Sequence, residues 1–353
     1  MMTPRHTVSR ADFLKWLGFA AANTFVMGPR AFSQPARGDL QQSEDEFVDK
    51  LFEEVLVFDG NASRGINRGK EWVSLAPGDI KRLTGIDMGT QTVQVPRLES
   101  EAAWLEEHSD AFARIERASD IERLSASDKY GILYYTQRAF DLGGSVEPLA
   151  RWKELGLRSL QITYADNELG GGSRSDDLPL SPLGVRVVRE LNRLRMVVDV
   201  SHCGRRTTLD TCRASSAPVT ANHANALTLA PHSRNKADEE LRAIADSGGV
   251  VGAVTVGRFL QKDYSRPATI DDFVEQIDYM VQLIGIDHVG IASDASMDGT
   301  QVYEVDYSDP YLNSYDRWKH VARRLHQRGY SREDLEKILG LNFKRVFQQV
   351  LDP

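Results

Sequence analysis

Eight short apolar runs recur along the chain, and most of them close on polar residues. They are VLVFDG at 55–60, LTGIDMG at 83–89, YGILYYTQ at 130–137, LRSLQITYAD at 157–166, RMVVDVSH at 195–202, APVTANH at 217–223, GGVVGAVTV at 248–256 and IDHVGIASD at 286–294. Consecutive rather than alternating apolar positions predict strands buried on both faces, as in a parallel sheet. Between most of them lie stretches with helical spacing. Leu98 to Ile121 is long enough for one crossover helix, and Ser145 to Leu155 fits another. Pro182 to Leu194 follows Ser181, a natural N-cap, and places proline at the first helical position. Lys236 to Ser247 carries its acidic residues early, where a helix macrodipole favours them. Eight strand–helix units in about 300 residues predict an α/β fold, a TIM-like (β/α)8 barrel occupying 34–353 as one domain. Gly170-Gly171-Gly172 and the SRSDD that follows predict a long loop over the mouth of the barrel after its fourth strand.

In such a barrel the C-terminal strand ends converge, so residues distant in sequence can share a site. The candidates are Asp59, Asn61, Ser63, Gln137, Tyr164, His202, His223 and Asp294. His202 and His223 end adjacent strands, and neutral imidazole is a good zinc ligand. His288 lies inside the eighth run and reads as a core or strand-base residue. His232, in the loop beyond the sixth strand, is placed to contact substrate or solvent, with solvent the preferred reading. The two cysteines, Cys203 and Cys212, are too few for a disulfide framework and read as small buried hydrophobes. Cys203 adjoins His202, yet the spacing supplies no separate base for a thiol nucleophile.

Charge narrows the partners. With 43 Lys and Arg against 51 Asp and Glu, the formal charge is -8, and no long basic block occurs. Nucleic acid is therefore excluded as an expected partner. Residues 1–33 stand apart: Arg5, Arg10 and Lys15, then FLKWLGFAAANTFVM, then Ala31-Phe32-Ser33. This order of basic, apolar and small residues predicts an export signal, and a mature protein that is soluble in the periplasm or outside the cell. SRADFLK resembles a twin-arginine signal with Ala11 in place of the second arginine.

The ordered series LGLRSLQITYADNELG, LSPLGVRVVRELNRLRMVVDVSH, SAPVTANHANAL, PHSRNKADEELRAIADSGGVVGAV, GIDHVGIASD and EDLEKILGLNFKRVF carries a family resemblance. From about Leu56 to Phe347 the chain resembles the membrane (renal) dipeptidases, metal-dependent peptidases of the amidohydrolase-like barrel group. The resemblance implies a zinc-assisted hydrolase of dipeptides or related small N-acyl amino acids, and a homodimer. It aligns His202 and His223 with the two histidines of the second zinc. Asp294 falls on the strand-eight carboxylate that handles the attacking water, and Arg234 on the arginine that receives the substrate carboxylate. Asn225, two beyond His223, is left a loop-shaping role.

Departures matter as much. The His-x-Asp pair of the first zinc is replaced by Asn61 and Ser63, the bridging glutamate by Gln137, and a substrate-facing histidine by Tyr164. An amide cannot supply the charge that a bridging carboxylate brings to two divalent ions. One zinc on His202 and His223, helped by Gln137 or Asp294, is the enzyme that these residues still permit, with Tyr164 as an oxyanion donor. The alternative is an inactive barrel that binds a small carboxylated ligand.

Overall fold

A computed structural model describes residues 37–63, 78–262, 266–296, 309 and 311–352. The expected export segment, 1–33, lies outside the described residues. Ser43–Pro353 forms one compact unit.

Each apolar run supplies a barrel strand: β1 Phe58–Asp59, β2 Met88–Thr92, β3 Tyr130–Thr136, β4 Leu157–Gln161, β5 Val197–Asp199, β6 Val219–Ala221, β7 Val250–Val254 and β8 Val289–Ala292. Every neighbouring pair is parallel, and β8 returns to β1 with Asp59 opposite Ile291, so the sheet closes into a (β/α)8 barrel. Closure removes the unpaired edges of an open sheet. Beyond β1 and β8 the chain pairs once more, Ala62–Ser63 against Ala295–Ser296. That second pairing brings the segments after the first and last strands together at the mouth.

Inside, glycines set the spacing. A Cβ on Gly60 would lie 2.6 Å from the Phe343 ring, on Gly290 2.7 Å and on Gly252 3.0 Å. Three strand regions thus leave room for one buried phenylalanine, which stacks on Phe58 at 5.6 Å and Phe347 at 5.8 Å.

Helix Pro182–Arg193 begins where its cap residue predicts: the Ser181 hydroxyl accepts from the Gly184 amide at 3.0 Å and donates to the Glu168 carbonyl at 2.6 Å. Ser181→Ala is expected to cost about 1 kcal/mol, seen as a lower urea midpoint at unchanged slope. The single helix expected over Leu98–Ile121 is instead two, Leu98–Glu107 and Ala118–Ser125, around a strand at Phe112–Arg114. The Asp110 carboxylate accepts from the Ala111 amide at 2.9 Å, and Phe112–Arg114 then pairs beside the first half of β3. Backbone pairing with β3 outweighs the helical spacing of the sequence. No described helix is long and apolar enough to cross a membrane.

Candidate functional site

The site is built outward from a buried carboxylate. Asp199, at the end of β5, is fully buried; its Oδ1 accepts from the Ser201 hydroxyl and the Asn222 amide, both at 2.7 Å. Its Oδ2 accepts from the Tyr135 hydroxyl at 2.5 Å, and that hydroxyl also lies 2.8 Å from Gln161 Oε1. The His223 amide then donates to Ser201 Oγ at 3.1 Å. One carboxylate therefore joins the loop that carries His202 to the loop that carries His223. Burial pushes its pKa up, while the donors around it pull the other way.

On this base the two imidazoles meet, with Nε2 to Nε2 at 3.0 Å. Burial, then the nearby Arg234 charge, drives both well below the ordinary histidine range, so both are neutral at neutral pH. Tyr164 stacks on His202 at 4.2 Å between ring centres, and the Gln137 amide lies 3.4 Å from His223 Nε2. His223 Nδ1 is buried without a hydrogen-bond partner.

Opposite, Asp294 has φ 50°, a left-handed backbone that is uncommon for an aspartate. Its Oδ1 accepts from Asn61 Nδ2 at 2.8 Å, and Asn61 Oδ1 lies 3.3 Å from the Thr92 hydroxyl. Desolvation raises its pKa to about 6, with Arg234 lowering it, Asp59 raising it and Asn61 lowering it. Arg234 is buried beneath; it donates to the carbonyls of Ser201 and His223 and lies over the Phe259 ring at 5.5 Å. Two of its donors tie the histidine loops together, and the rest of the planar fork can meet a carboxylate.

Tyr164, His202, Arg234 and Asp294 line one cavity of about 610 Å³, with His232 and Phe259 among its other walls. His232, half-buried, lines this cavity with its ring packed at 4.6 Å against Phe259, which suits the less favoured of its two expected places, contact with substrate. Asp59 lies below, fully buried, accepting from the Ser293 amide at 2.9 Å and Trp318 Nε1 at 3.2 Å. Ser63 lies on the short strand beyond β1. His288 Nδ1 meets the Gly249 carbonyl at 2.8 Å, a strand-base role as expected. Asn225 bonds the Val254 backbone through both ends of its amide and so shapes the loop. Both cysteines are free thiols; burial pushes Cys203 to about 11 and Cys212 to about 12, which leaves neither a nucleophile.

The donor set can be compared with what a metal ion requires. Among the described residues no group of three or more His, Cys, Asp or Glu side chains gathers to hold a metal. Where the family resemblance sets a His-x-Asp pair, Asn61 instead bonds Asp294. The histidine pair has the spacing of two ligands on one ion. Nitrogens bound at about 2.0–2.1 Å to a tetrahedral zinc stand about 3.3 Å apart, close to the observed 3.0 Å, and both imidazoles are neutral as ligation requires.

Asp199 and Tyr135 are not among the candidates that the strand ends offer in the sequence. The signal was present: a lone carboxylate inside VVDV and tyrosines inside a strand must find buried partners.

Known proteins resemble this chain in sequence and in fold. The model of the membrane dipeptidase family (peptidase family M19) matches residues 46–352. Dipeptidase tcpJ of Claviceps purpurea (strain 20.1) is 32% identical over 252 residues, 70% of this chain and 57% of that protein. The chain thus spans little more than half the length of that relative. An uncharacterized protein in the pqqA 5' region of Klebsiella pneumoniae is 30% identical over 243 residues, 66% of this chain and 87% of its own. The crystal structure of an amidohydrolase from Pseudomonas aeruginosa matches with TM-score 0.77 at 26% identity, over 87% of this chain and 99% of that one.

Proposed function

The chain belongs to the membrane dipeptidase family, and on that premise we propose that it hydrolyses dipeptides or related small N-acyl amino acids with one divalent ion, zinc by preference. The observation that carries this reading is the pair of neutral imidazoles, His202 and His223, 3.0 Å apart beside Arg234. Those two nitrogens would hold the ion, and the Gln137 amide, 3.4 Å from His223, would assist.

When bound, the ion supplies Lewis acidity: it polarises the scissile carbonyl and acidifies a water. The chain's own groups do the rest. Arg234 holds the substrate's free carboxylate and so fixes the amide over the histidines. Asp294, ionised above about pH 6, accepts the water's proton and returns it to the leaving amine. The Tyr164 hydroxyl donates to the oxygen that gains charge. The apolar segment after Arg5 and Arg10 supports export to the periplasm or beyond, and the family membership supports a homodimer.

A second reading has its own observation. The Thr92–Asn61–Asp294 chain satisfies by hydrogen bonds the place of the first ion, as in a barrel that binds a carboxylated ligand without turnover. Bound zinc per chain, measured on chelator-free protein before any peptide assay, separates the two. About one zinc, with hydrolysis that stops on chelation, is expected. A protein that takes up no zinc on incubation yet binds N-acyl amino acids would establish the second reading.

A further inference from the structure

The backbone fixes the tautomer of His232. Its Nδ1 lies 3.1 Å from the Arg234 amide, and an amide N–H can only donate, so Nδ1 accepts and carries no proton. A neutral imidazole then holds its one proton on the other nitrogen, which makes Nε2 a hydrogen-bond donor. Two things keep the ring neutral. A second proton would sit on Nδ1 and break the bond to the Arg234 amide. Burial, then the charges of Arg234, Arg258 and Arg174, also lower its pKa. No described residue pairs with Nε2. The ring lines the same cavity as Tyr164, His202, Arg234 and Asp294.

Phe259 brings this donor beside Arg234. The imidazole packs on its ring at 4.6 Å, and the guanidinium lies over the same ring at 5.5 Å. Arg234 already uses two donors on the carbonyls of Ser201 and His223, whereas a carboxylate offers about four lone-pair sites. A second donor of fixed direction next to the guanidinium meets that need. We propose that His232 is a substrate-binding residue whose Nε2–H donates to the carboxylate held by Arg234. A free carboxylate is then read by a guanidinium and a neutral imidazole together. A carboxamide in the same place would turn its own N–H groups toward one of these donors, and two donors cannot pair. His232 thereby selects substrates with a free carboxyl end over blocked ones. This role rests on the reading of Arg234 as the carboxylate site.

Isothermal titration of the purified full chain with N-acetyl-alanine and with its blocked counterpart N-acetyl-alaninamide tests this without need of turnover. The unaltered protein is expected to bind the carboxylate more than about tenfold tighter than the amide. His232→Phe keeps a ring to pack on Phe259 but removes the donor, and His232→Gln restores an N–H near the place of Nε2. Circular dichroism first verifies that both variants fold. N-acetyl-alanine should bind His232→Phe about tenfold more weakly, and His232→Gln within about threefold of the unaltered protein. The amide should change less than about twofold in either variant, since it gains nothing from the donor. Full affinity of His232→Phe for N-acetyl-alanine, or an equal loss of both compounds, would overturn the role of His232 while Arg234 keeps its own. An unaltered protein that binds neither compound, or both alike, would overturn the Arg234 reading and this role with it.

Discussion

Replacing His223 with alanine is expected to strip the protein of zinc and, with it, of hydrolysis. The pair supplies two imidazole nitrogens and little else of ligand quality among the described residues. Loss of a partner that merely orients a ligand costs about 10–100-fold in metal affinity, so loss of a ligand itself should exceed a hundredfold. His223 is fully buried and packs its ring against Tyr135 and His202. Removing a fully buried ring and a bound ion is expected to lower the melting point, so zinc content is compared by mass spectrometry on protein whose fold is first verified by circular dichroism. His202→Ala should behave alike and also release Tyr164 from its stacking partner. A His223→Ala protein that retains one zinc per chain would falsify the ligand assignment.

Most of the barrel was legible because its strands are buried on both sides. A run such as GGVVGAV has no polar positions to tie it to another architecture, and eight of them separated by helical spacing leave few alternatives. The one long misreading, Leu98–Ile121, failed for a tertiary reason: Phe112–Arg114 is drawn into pairing by the β3 backbone, which no local pattern encodes.

At the site, the sequence named the groups but not their alliances. Asn61 stands out on the page as a missing histidine; only the fold turns it into the hydrogen-bond donor of Asp294, 233 positions away. His232 looked solvent-bound because its loop is polar, whereas the cavity wall is completed by Phe259 from beyond β7. A motif describes neighbours along the chain, and an electrostatic field is summed over neighbours in space.

Arg234→Gln is expected to reduce kcat/KM by about two to three orders of magnitude and to move its pH profile. Removing one partner of a buried charge pair costs about 3–5 kcal/mol, and each 1.4 kcal/mol is a factor of ten. Part of this loss is binding, as the substrate carboxylate loses its fork. The remainder acts through Asp294. In the native chain desolvation lifts that carboxyl to about 6 while Arg234 pulls it down, so the Asp294 base is ionised at pH 7 and lost as pH falls through 6. Without the arginine, desolvation and the Asp59 charge act against weaker opposition, and the pKa must rise further. The acidic limb of kcat/KM should thus shift toward alkaline pH in Arg234→Gln and disappear, with most of the activity, in Asp294→Asn. Arg234→Lys keeps the charge but not the fork, so its limb should stay near 6 while KM rises. An unshifted limb in Arg234→Gln would assign the titration to a group other than Asp294, whereas a shift confined to the glutamine variant would tie carboxylate recognition and proton transfer to one buried arginine.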